Sequence, residues 1–327
     1  MTDRRDFLLA STAALLAAAG SGRLTAAELK AAGVRLIPVE GGKYKVWTKR
    51  VGPCHGPAKQ KILLLHGGPG GTHDYMESMA GLANAGRRVI FYDQLGCGHS
   101  KLPGPNPDMW TVELFVEEVA VIRDALGLDE LHILGQSWGG MLGMEYALTQ
   151  PSGVASLLVC DSPASMEQWV SEANRLRADL PPDVQNTLLK HEQAGTTDDP
   201  EYLAAAEEFN NRHVCRVPHS PGVARSFEQL EGNEVYLTMN GPSEFHCIGS
   251  LRTWNIIDRL AEITIPTLVI SGRYDEATPL IAGTIRDNIP GAQWVLFEES
   301  SHMPHEEEPE RFHQVVGDFL AAHDPGA

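Results

Sequence analysis

Six short apolar runs constrain the fold of this chain more than any other feature of its 327 residues. Each run lacks the regular polar alternation of a half-exposed strand, which is the pattern of strands buried on both faces of a sheet. Helical patterns lie between them, as at residues 111–126 and 138–148. This alternation predicts an α/β protein with a mostly parallel, doubly wound sheet. The runs are residues 62–65, 89–92, 131–134, 155–159, 267–270 and 294–297.

Two further segments extend this plan. Residues 34–39 and 44–48 are rich in β-forming residues and flank Gly41-Gly42, which predicts an antiparallel hairpin. The stretch 164–250 instead contains only helical patterns, at residues 166–178, 182–193 and 200–214. We interpret 164–250 as a helical cap inserted over the carboxyl edge of the sheet, where open α/β sheets bind ligands. The core then comprises residues 28–163 and 251–327.

The first 27 residues are predicted to be a targeting segment rather than part of the fold. Arg4-Arg5 precedes Phe7 and an Ala- and Leu-rich stretch that runs to Ala19. This order is typical of a twin-arginine export signal, and the apolar stretch is too short for a permanent membrane span. We therefore expect a periplasmic or secreted protein that engages the twin-arginine export machinery. Cleavage after Ala19 or after Ala27 fits equally, and a simple amphipathic helix is the alternative.

Charge and cysteine spacing exclude several classes of function. The net charge is −17 and the isoelectric point is about 5.1, which argues against nucleic acid or anionic membranes as partners. The five cysteines include no C-x-x-C pair, and no H-E-x-x-H motif occurs. We therefore predict no metal and no organic cofactor.

The motif G-x-S-x-G at residues 135–139 supplies the first chemical group. It follows a buried-strand pattern and begins a helical one, which is the context of a nucleophile elbow. We therefore predict the α/β-hydrolase fold, with Ser137 as the nucleophile of a serine hydrolase. Epoxide hydrolase and dehalogenase chemistry are disfavoured because they need Asp at this position.

A glycine-rich loop, His66-Gly-Gly-Pro-Gly-Gly, directly follows the run at 62–65. We interpret it as the oxyanion loop, in which the Gly68 N–H joins the Trp138 N–H to stabilise the tetrahedral intermediate. Neither the Gly-Lys-Ser/Thr of a phosphate loop nor the spacing of a dinucleotide fingerprint is present. His66 is expected to be structural.

The base and the acid follow from chain order, which in this fold is Ser, acid, His. Asp275 follows the run at 267–270, and His302 follows the last run. Asp275 would orient His302 and fix its tautomer. Glu276 is the alternative acid and is expected to face solvent, whereas His305 is rejected because it begins the next helix.

The sequence after the signal resembles the proline iminopeptidase group of serine peptidases, and within it the bacterial L-proline amide hydrolases, or L-amino acid amidases. The resemblance rests on core motifs shared by many hydrolases and on cap segments that are more specific. The motifs are His66–Gly70, Tyr92–Gly98, Gly135–Gly140, Ser271–Pro279 and Ser301–His305, and the cap segments are Trp169–Arg177, Lys190–Gly195 and Gly241–Phe245.

This resemblance implies a cap carboxylate that holds the free amino group of an amino acid amide or short peptide. Glu244, in Gly-Pro-Ser-Glu-Phe, is the matching residue, and an ammonium held by a carboxylate is both strong and directional. Some relatives carry a further cap acid, but the stretch 217–219 reads Val-Pro-His. The implied reaction cleaves the amide bond after an N-terminal proline or small L-residue through an acyl-enzyme. The alternatives are an esterase or xenobiotic anilide hydrolase and a non-catalytic ligand-binding relative.

Overall fold

The computed structural model describes residues 32–53 and 61–324, which form an eight-stranded sheet with helices on both sides. All six apolar runs are strands, and every neighbouring pair from β4 onward in the sheet is parallel. The first two strands form the predicted antiparallel hairpin at one edge. The strands lie in the order β1-β2-β4-β3-β5-β6-β7-β8. They are β1 Val34–Val39, β2 Tyr44–Val51, β3 Lys61–Leu65, β4 Arg88–Asp93, β5 Leu131–Gln136, β6 Val154–Cys160, β7 Thr267–Gly272 and β8 Gln293–Phe297.

The continuous apolar runs arise because both faces of the sheet are covered. In β3, Leu63 and Leu65 pack into the hydrophobic cluster on one face, while Ile62 and Leu64 pack into the cluster on the other. All four side chains are at most 1% exposed. Polar alternation would leave unsolvated polar groups on one face, so the sequence uses apolar residues throughout.

The helices begin and end close to the predicted positions. Helix α2 has the predicted bounds, and α1 begins one residue later than predicted because Thr111 is its N-cap and accepts a hydrogen bond from the Leu114 N–H. The helices are α1 Val112–Leu126, α2 Trp138–Leu148, α3 Met166–Arg177, α4 Pro182–Ala194, α5 Pro200–His213, α6 Pro221–Leu230, α7 Glu234–Met239, α8 Pro279–Asn288, α9 Pro304–Glu307 and α10 Pro309–Ala322.

Helices α3 to α7 lie between β6 and β7 and form the predicted helical insert. Asp199 is the N-cap of α5, and its carboxylate accepts a hydrogen bond from the Glu201 N–H. Helices α6 and α7 were not predicted, although Ser220 and Asn233 cap them in the usual way. The insert has its own small hydrophobic cluster, built around Tyr202, Phe209 and Phe245. Its exact limits at 164 and 250 stay a prediction.

One buried polar contact joins the insert to the core near the carboxyl edge of the sheet. The Thr278 hydroxyl donates a 2.7 Å hydrogen bond to the Glu172 carboxylate on α3. Thr278 follows β7 by a few residues, so this contact fixes the first cap helix against the loop that carries Asp275.

No helix within 32–53 and 61–324 is long and apolar enough to cross a membrane. The predicted twin-arginine signal at residues 1–27 lies outside the described residues.

Candidate active site

Ser137 occupies a strained turn between β5 and α2. Its backbone has φ 56° and ψ −123°, a conformation that residues with a side chain rarely adopt and that is typical of a nucleophile elbow. The flanking glycines make the turn possible. A Cβ on Gly135 would lie 2.0 Å from the Gly139 carbonyl oxygen, and one on Gly139 would lie 1.9 Å from the Leu65 carbonyl oxygen. The G-x-S-x-G pattern is therefore a steric requirement of this turn.

The structure brings Asp275 and His302 together. His302 Nδ1 lies 2.7 Å from Asp275 Oδ1, and both side chains are buried. The same carboxylate oxygen accepts a hydrogen bond of 2.8 Å from the Ala277 N–H, which fixes its orientation. Burial disfavours the charged imidazole, but the Asp275 carboxylate outweighs it and raises the pKa of His302 above its usual value. This arrangement is that of a base with its orienting acid.

Ser137 and His302 reach the same edge of the sheet without a direct bond in the described structure. No hydrogen bond between their side chains is seen there, and His302 Nε2 instead lies 3.7 Å from Glu276 Oε1. Catalytic hydrogen bonds are often long before substrate binds. Gln136 connects the two loops, since its Nε2 donates to the His302 carbonyl oxygen at 2.8 Å.

The other end of the Gln136 amide connects the nucleophile elbow to the glycine loop. Its Oε1 accepts a 2.6 Å hydrogen bond from the Tyr75 hydroxyl, and that hydroxyl accepts one of 2.7 Å from the Gly67 N–H. Neither Gln136 nor Tyr75 was predicted from the sequence to be part of the site. Gln136 is the first variable position of the G-x-S-x-G motif, so its role follows only from the packing of the three loops.

Gly68 and Trp138 are the two predicted oxyanion donors. Gly68 has φ 117°, which glycine adopts without strain, and Trp138 is the first residue of α2. In the part of the chain that the structure describes, no hydrogen bond occupies either N–H, and the first N–H groups of a helix have no acceptor within the helix. The two donors fit an oxyanion hole at the positive end of a helix.

His66 holds the glycine loop in place. Its Nε2 accepts a hydrogen bond from the Gln94 N–H at 3.0 Å, and the Gln94 side chain donates back to the His66 carbonyl oxygen. The Gln94 amide oxygen also accepts from the Trp138 indole N–H at 2.8 Å. Burial lowers the pKa of His66 to about 4, so the imidazole is neutral and can accept. These bonds are those of a structural histidine.

A second cluster, buried except for His99, steadies the loop that carries Gln94. Each carboxylate oxygen of Asp93 bonds one imidazole, His73 at 2.7 Å and His99 at 2.9 Å. The Trp47 ring packs on both imidazoles. The spacing of these ligand atoms would be compatible with a metal ion, but direct hydrogen bonds already satisfy both carboxylate oxygens. We interpret the cluster as a brace for residues 94–100.

The cap contributes Glu244. Its partly buried carboxylate accepts a 2.7 Å hydrogen bond from the Tyr236 hydroxyl. The backbone carbonyl oxygen of Glu244 accepts one from the Trp169 indole N–H, also at 2.7 Å. Burial raises the pKa of the carboxyl, while Tyr236 and the nearby His302 lower it. The Trp169 ring packs edge-on to His302 at 6.0 Å. Glu244 therefore lies within electrostatic reach of the imidazole.

The prediction that Glu276 faces solvent is wrong. Its side chain is 1% exposed, and in the described structure Oε2 has no hydrogen-bond partner. The side chain turns inward because the Glu276 N–H donates to the His213 carbonyl oxygen, which folds the loop under the cap. Burial and the negative charges of Glu244 and Asp275 together raise the pKa of Glu276 well above its usual value. The position beside Asp275 was the only signal in the sequence, and it does not reveal the direction of the side chain.

His305 lies in helix α9, as predicted, and is not placed to act as the base. Its Nε2 bonds the Tyr75 carbonyl oxygen at 3.1 Å, and burial lowers its pKa to about 3. A neutral imidazole packed in this way supports the helix rather than the reaction.

The fold and this arrangement of residues define the class of protein. The family model for the α/β hydrolase fold matches residues 61–309, so the chain is an α/β hydrolase. A proline iminopeptidase of Clostridium botulinum is 40% identical over 285 residues, which cover 86% of this chain and 96% of that protein. A proline iminopeptidase of Lactobacillus delbrueckii subsp. lactis is 38% identical over 86% of this chain and 97% of its own length. The chain belongs to the proline iminopeptidase family of α/β hydrolases.

Solved structures agree with this assignment. The proline iminopeptidase of Mycobacterium smegmatis is 47% identical and superimposes with a TM-score of 0.81, covering 89% of this chain and 98% of that one. A protein named VinJ, also 47% identical with the same coverage, superimposes with a TM-score of 0.85. The insert is therefore included in the similarity, not only the sheet.

Proposed function

We propose that this serine hydrolase cleaves the amide bond that follows an N-terminal proline or another small L-residue, in amino acid amides or short peptides. The observation that carries the proposal is the convergence of two acidic side chains beside the base. Glu244 reaches down from the cap, and Glu276 turns inward from the loop after β7 to within 3.7 Å of His302 Nε2. Two acids this close to the base, one partly buried and one fully buried, are unfavourable as a pair of charges unless a proton or a bound cation offsets one of them.

The charges of the pair favour an ammonium ligand. Each of the two acids has a pKa raised by burial, and the pKa of Glu276 is raised further by the charge of Glu244. A substrate ammonium would favour the ionised form of both groups and would donate to the unpartnered Glu276 Oε2. Such charge-assisted hydrogen bonds are short and strong, and they fix the orientation of the bound residue.

With the amino group held, the carbonyl carbon of the first residue would lie over Ser137. His302 takes the proton from the Ser137 hydroxyl as its oxygen attacks that carbon. The N–H groups of Gly68 and Trp138 stabilise the oxyanion, and Asp275 stabilises the imidazolium. His302 then gives its proton to the leaving amine or ammonia, and water releases the acyl group by the same route. This scheme requires no metal and no organic cofactor.

The substrate panel that tests this proposal contains L-prolinamide, Pro-Gly and N-acetyl-L-prolinamide. We expect cleavage of the first two and none of the acetylated compound, because acetylation removes the cation that the acids would bind. The ratio of the first two rates separates an L-amino acid amidase from an iminopeptidase. The family's amidases and peptidases share the catalytic motifs, so only this ratio can assign the leaving group.

An unselective result would favour a different hydrolase. Equal rates on free and acetylated prolinamide, or cleavage of simple esters alone, would leave the triad intact and contradict amine recognition. The enzyme would then be an esterase or an anilide hydrolase that uses the same core.

We further propose that the protein is exported in the folded state through the twin-arginine pathway. The support is the Arg4-Arg5 pair ahead of the apolar stretch that ends near Ala19. In a bacterial host with this pathway, we expect activity in the periplasm or medium for the full chain. For an Arg4→Lys/Arg5→Lys variant, we expect the activity to stay in the cytoplasm. Unchanged export of that variant would contradict the proposal.

A further inference from the structure

Asp161 is a buried acid that the reaction described above does not use. It directly follows β6 with φ 53°, a left-handed conformation, and is 1% exposed. Its N–H donates a 2.8 Å hydrogen bond to the Ile270 carbonyl oxygen on the neighbouring strand β7. The loop after β7 carries Asp275, so the sheet places the two acids side by side at the same edge.

The hydrogen bonds of this pair are incomplete if both acids are ionised. The Asp161 carboxyl lies close enough to the carboxyl of Asp275 for the charge of one to act on the other. Asp275 Oδ1 has two donors, His302 Nδ1 and the Ala277 N–H. Asp275 Oδ2 and both oxygens of Asp161, by contrast, have no hydrogen-bond partner among the described residues, although the Gly272 N–H lies near Asp161.

A single proton on the pair would remove this shortage of hydrogen-bond donors. Two adjacent buried carboxyl groups cannot both carry a charge, and such pairs share a single proton. Asp275 must be the ionised member, because it accepts from the imidazole and supports its positive charge during turnover. A proton on Asp161 would be donated to Asp275 Oδ2 and would satisfy both acids with one bond.

We propose that Asp161 is a neutral carboxylic acid that donates a hydrogen bond to Asp275 Oδ2 and thereby positions the acid of the triad. Asp161 then lies behind the triad of Ser137, His302 and Asp275 as a positioning residue. Asp161 touches no reacting atom and keeps its proton throughout the cycle, so its role is to position Asp275 and to limit its charge.

The environment of Asp161 is consistent with a neutral acid. Burial raises the pKa of Asp161 well above its ordinary value, and the charge of Asp275 raises it further, while the Gly272 N–H acts in the opposite direction. The titratable groups around the two side chains are chiefly acidic. They are Asp275, Glu307, Cys160 and Tyr75 around Asp161, and Asp275, Glu244, Glu276, Glu307 and the neutral His305 around His302.

This arrangement has a consequence for the base. The acids around His302 favour its protonated form, which cannot accept the serine proton. A hydrogen bond from Asp161 draws charge from Asp275 and so moderates the rise in the pKa of His302. Loss of that donor should therefore make His302 more basic and move the acid limb of the reaction to higher pH.

Two substitutions separate the donor from the carboxyl. Asp161→Asn keeps a donor toward Asp275, and Asp161→Gly removes it; both residues tolerate the left-handed backbone at this position. The readout is the rate of Ser137 labelling by a fluorophosphonate between pH 5 and pH 9. The inference rests on the proposed triad but not on the proposed substrate, and this probe reports the triad without an amino acid substrate.

We expect Asp161→Asn to label within about threefold of the wild-type rate at every pH, because it retains one neutral hydrogen bond. Asp161→Gly should label about tenfold more slowly at neutral pH, with its acid limb at higher pH. Equal impairment of the two variants would overturn the proposal, since the donor would then not be what matters. An unshifted acid limb in a folded Asp161→Gly protein would also overturn it.

A second measurement does not depend on the glycine variant folding. The infrared difference spectrum of wild type minus Asp161→Asn at neutral pH should contain the carbonyl stretch of a protonated carboxyl group, shifted in D₂O. Other neutral acids cancel in this difference. A carboxylate band in its place would show that Asp161 is ionised and would overturn the proposal.

Discussion

The sheet edge and the cap hold their parts of the site in different ways. In the core, the backbone places the groups: Ser137 by a strained turn, Asp275 and His302 by loops that follow adjacent strands. In the cap, side-chain hydrogen bonds place Glu244, through Tyr236 and Trp169. A rigid backbone suits chemistry that tolerates little displacement, and a cap held by side chains can change its selectivity while the chemistry remains.

Asp275 and Glu276 show the same contrast within two residues. Asp275 points to His302 Nδ1 and belongs to the catalytic machinery of the core. Glu276 lies near His302 Nε2 and is influenced by Glu244 from the cap. The loop after β7 therefore joins the two regions. Substitutions in the core should impair the reaction itself, whereas substitutions of the amine site should impair substrate selectivity.

The largest effect should come from the core. Ser137→Ala removes the nucleophile, so we expect turnover to fall by about 10⁴-fold or more while substrate binding is nearly unchanged. Single-turnover kinetics and calorimetric titration with L-prolinamide measure the two quantities separately. Turnover close to the wild-type rate would remove Ser137 from the mechanism.

Substitutions of the amine site should have a smaller effect that depends on the substrate. Glu244→Gln removes one charge from the ammonium, which costs about 2–3 kcal/mol and lowers kcat/KM on L-prolinamide by roughly 30- to 150-fold. Hydrolysis of p-nitrophenyl acetate, which has no amino group, should not change at a pH above the acid limb of His302. Glu231→Gln, an exposed glutamate of the cap, is the matched control. An equal loss on both substrates would assign Glu244 to the structure of the cap rather than to selectivity.

Loss of the contact between core loops should be smaller still. Tyr75→Phe leaves the Gly67 N–H and Gln136 Oε1 without their shared hydroxyl. We expect kcat to fall by about five- to tenfold, the effect of one lost neutral hydrogen bond of roughly 1 kcal/mol. Tyr146→Phe loses a hydroxyl that bonds Arg123 instead and is the control for stability. If both variants lose kcat equally, the hydroxyl of Tyr75 has no specific role.

The smallest expected change is in the pH profile. The negative charge of Glu244 contributes to the raised pKa of His302, so Glu244→Gln should lower that pKa. His302 acts as a base only when neutral, and its acid limb should therefore move to lower pH in the variant. Fluorophosphonate labelling against pH measures this without a substrate amino group. A shift to higher pH would show that the charge of Glu244 does not reach the imidazole.

The sequence predicted the strands and the core site because each depends on local pattern. Buried runs identified the sheet, and the steric demands of the elbow identified Ser137. Glu276, Gln136 and Asp161 could not be predicted in this way, because their roles depend on the direction in which a loop turns and on which strands are neighbours. Helices α6 and α7 were missed although their caps, Ser220 and Asn233, are present in the sequence.

We propose above that acids from the cap and the core together recognise a free amino group. The most direct test is the ratio of kcat/KM for L-prolinamide to that for N-acetyl-L-prolinamide, measured in the wild type and in Glu244→Gln/Glu276→Gln. We expect a large ratio in the wild type that collapses in the double variant while labelling of Ser137 persists. A ratio that is unchanged in the double variant, or close to one in the wild type, would contradict it.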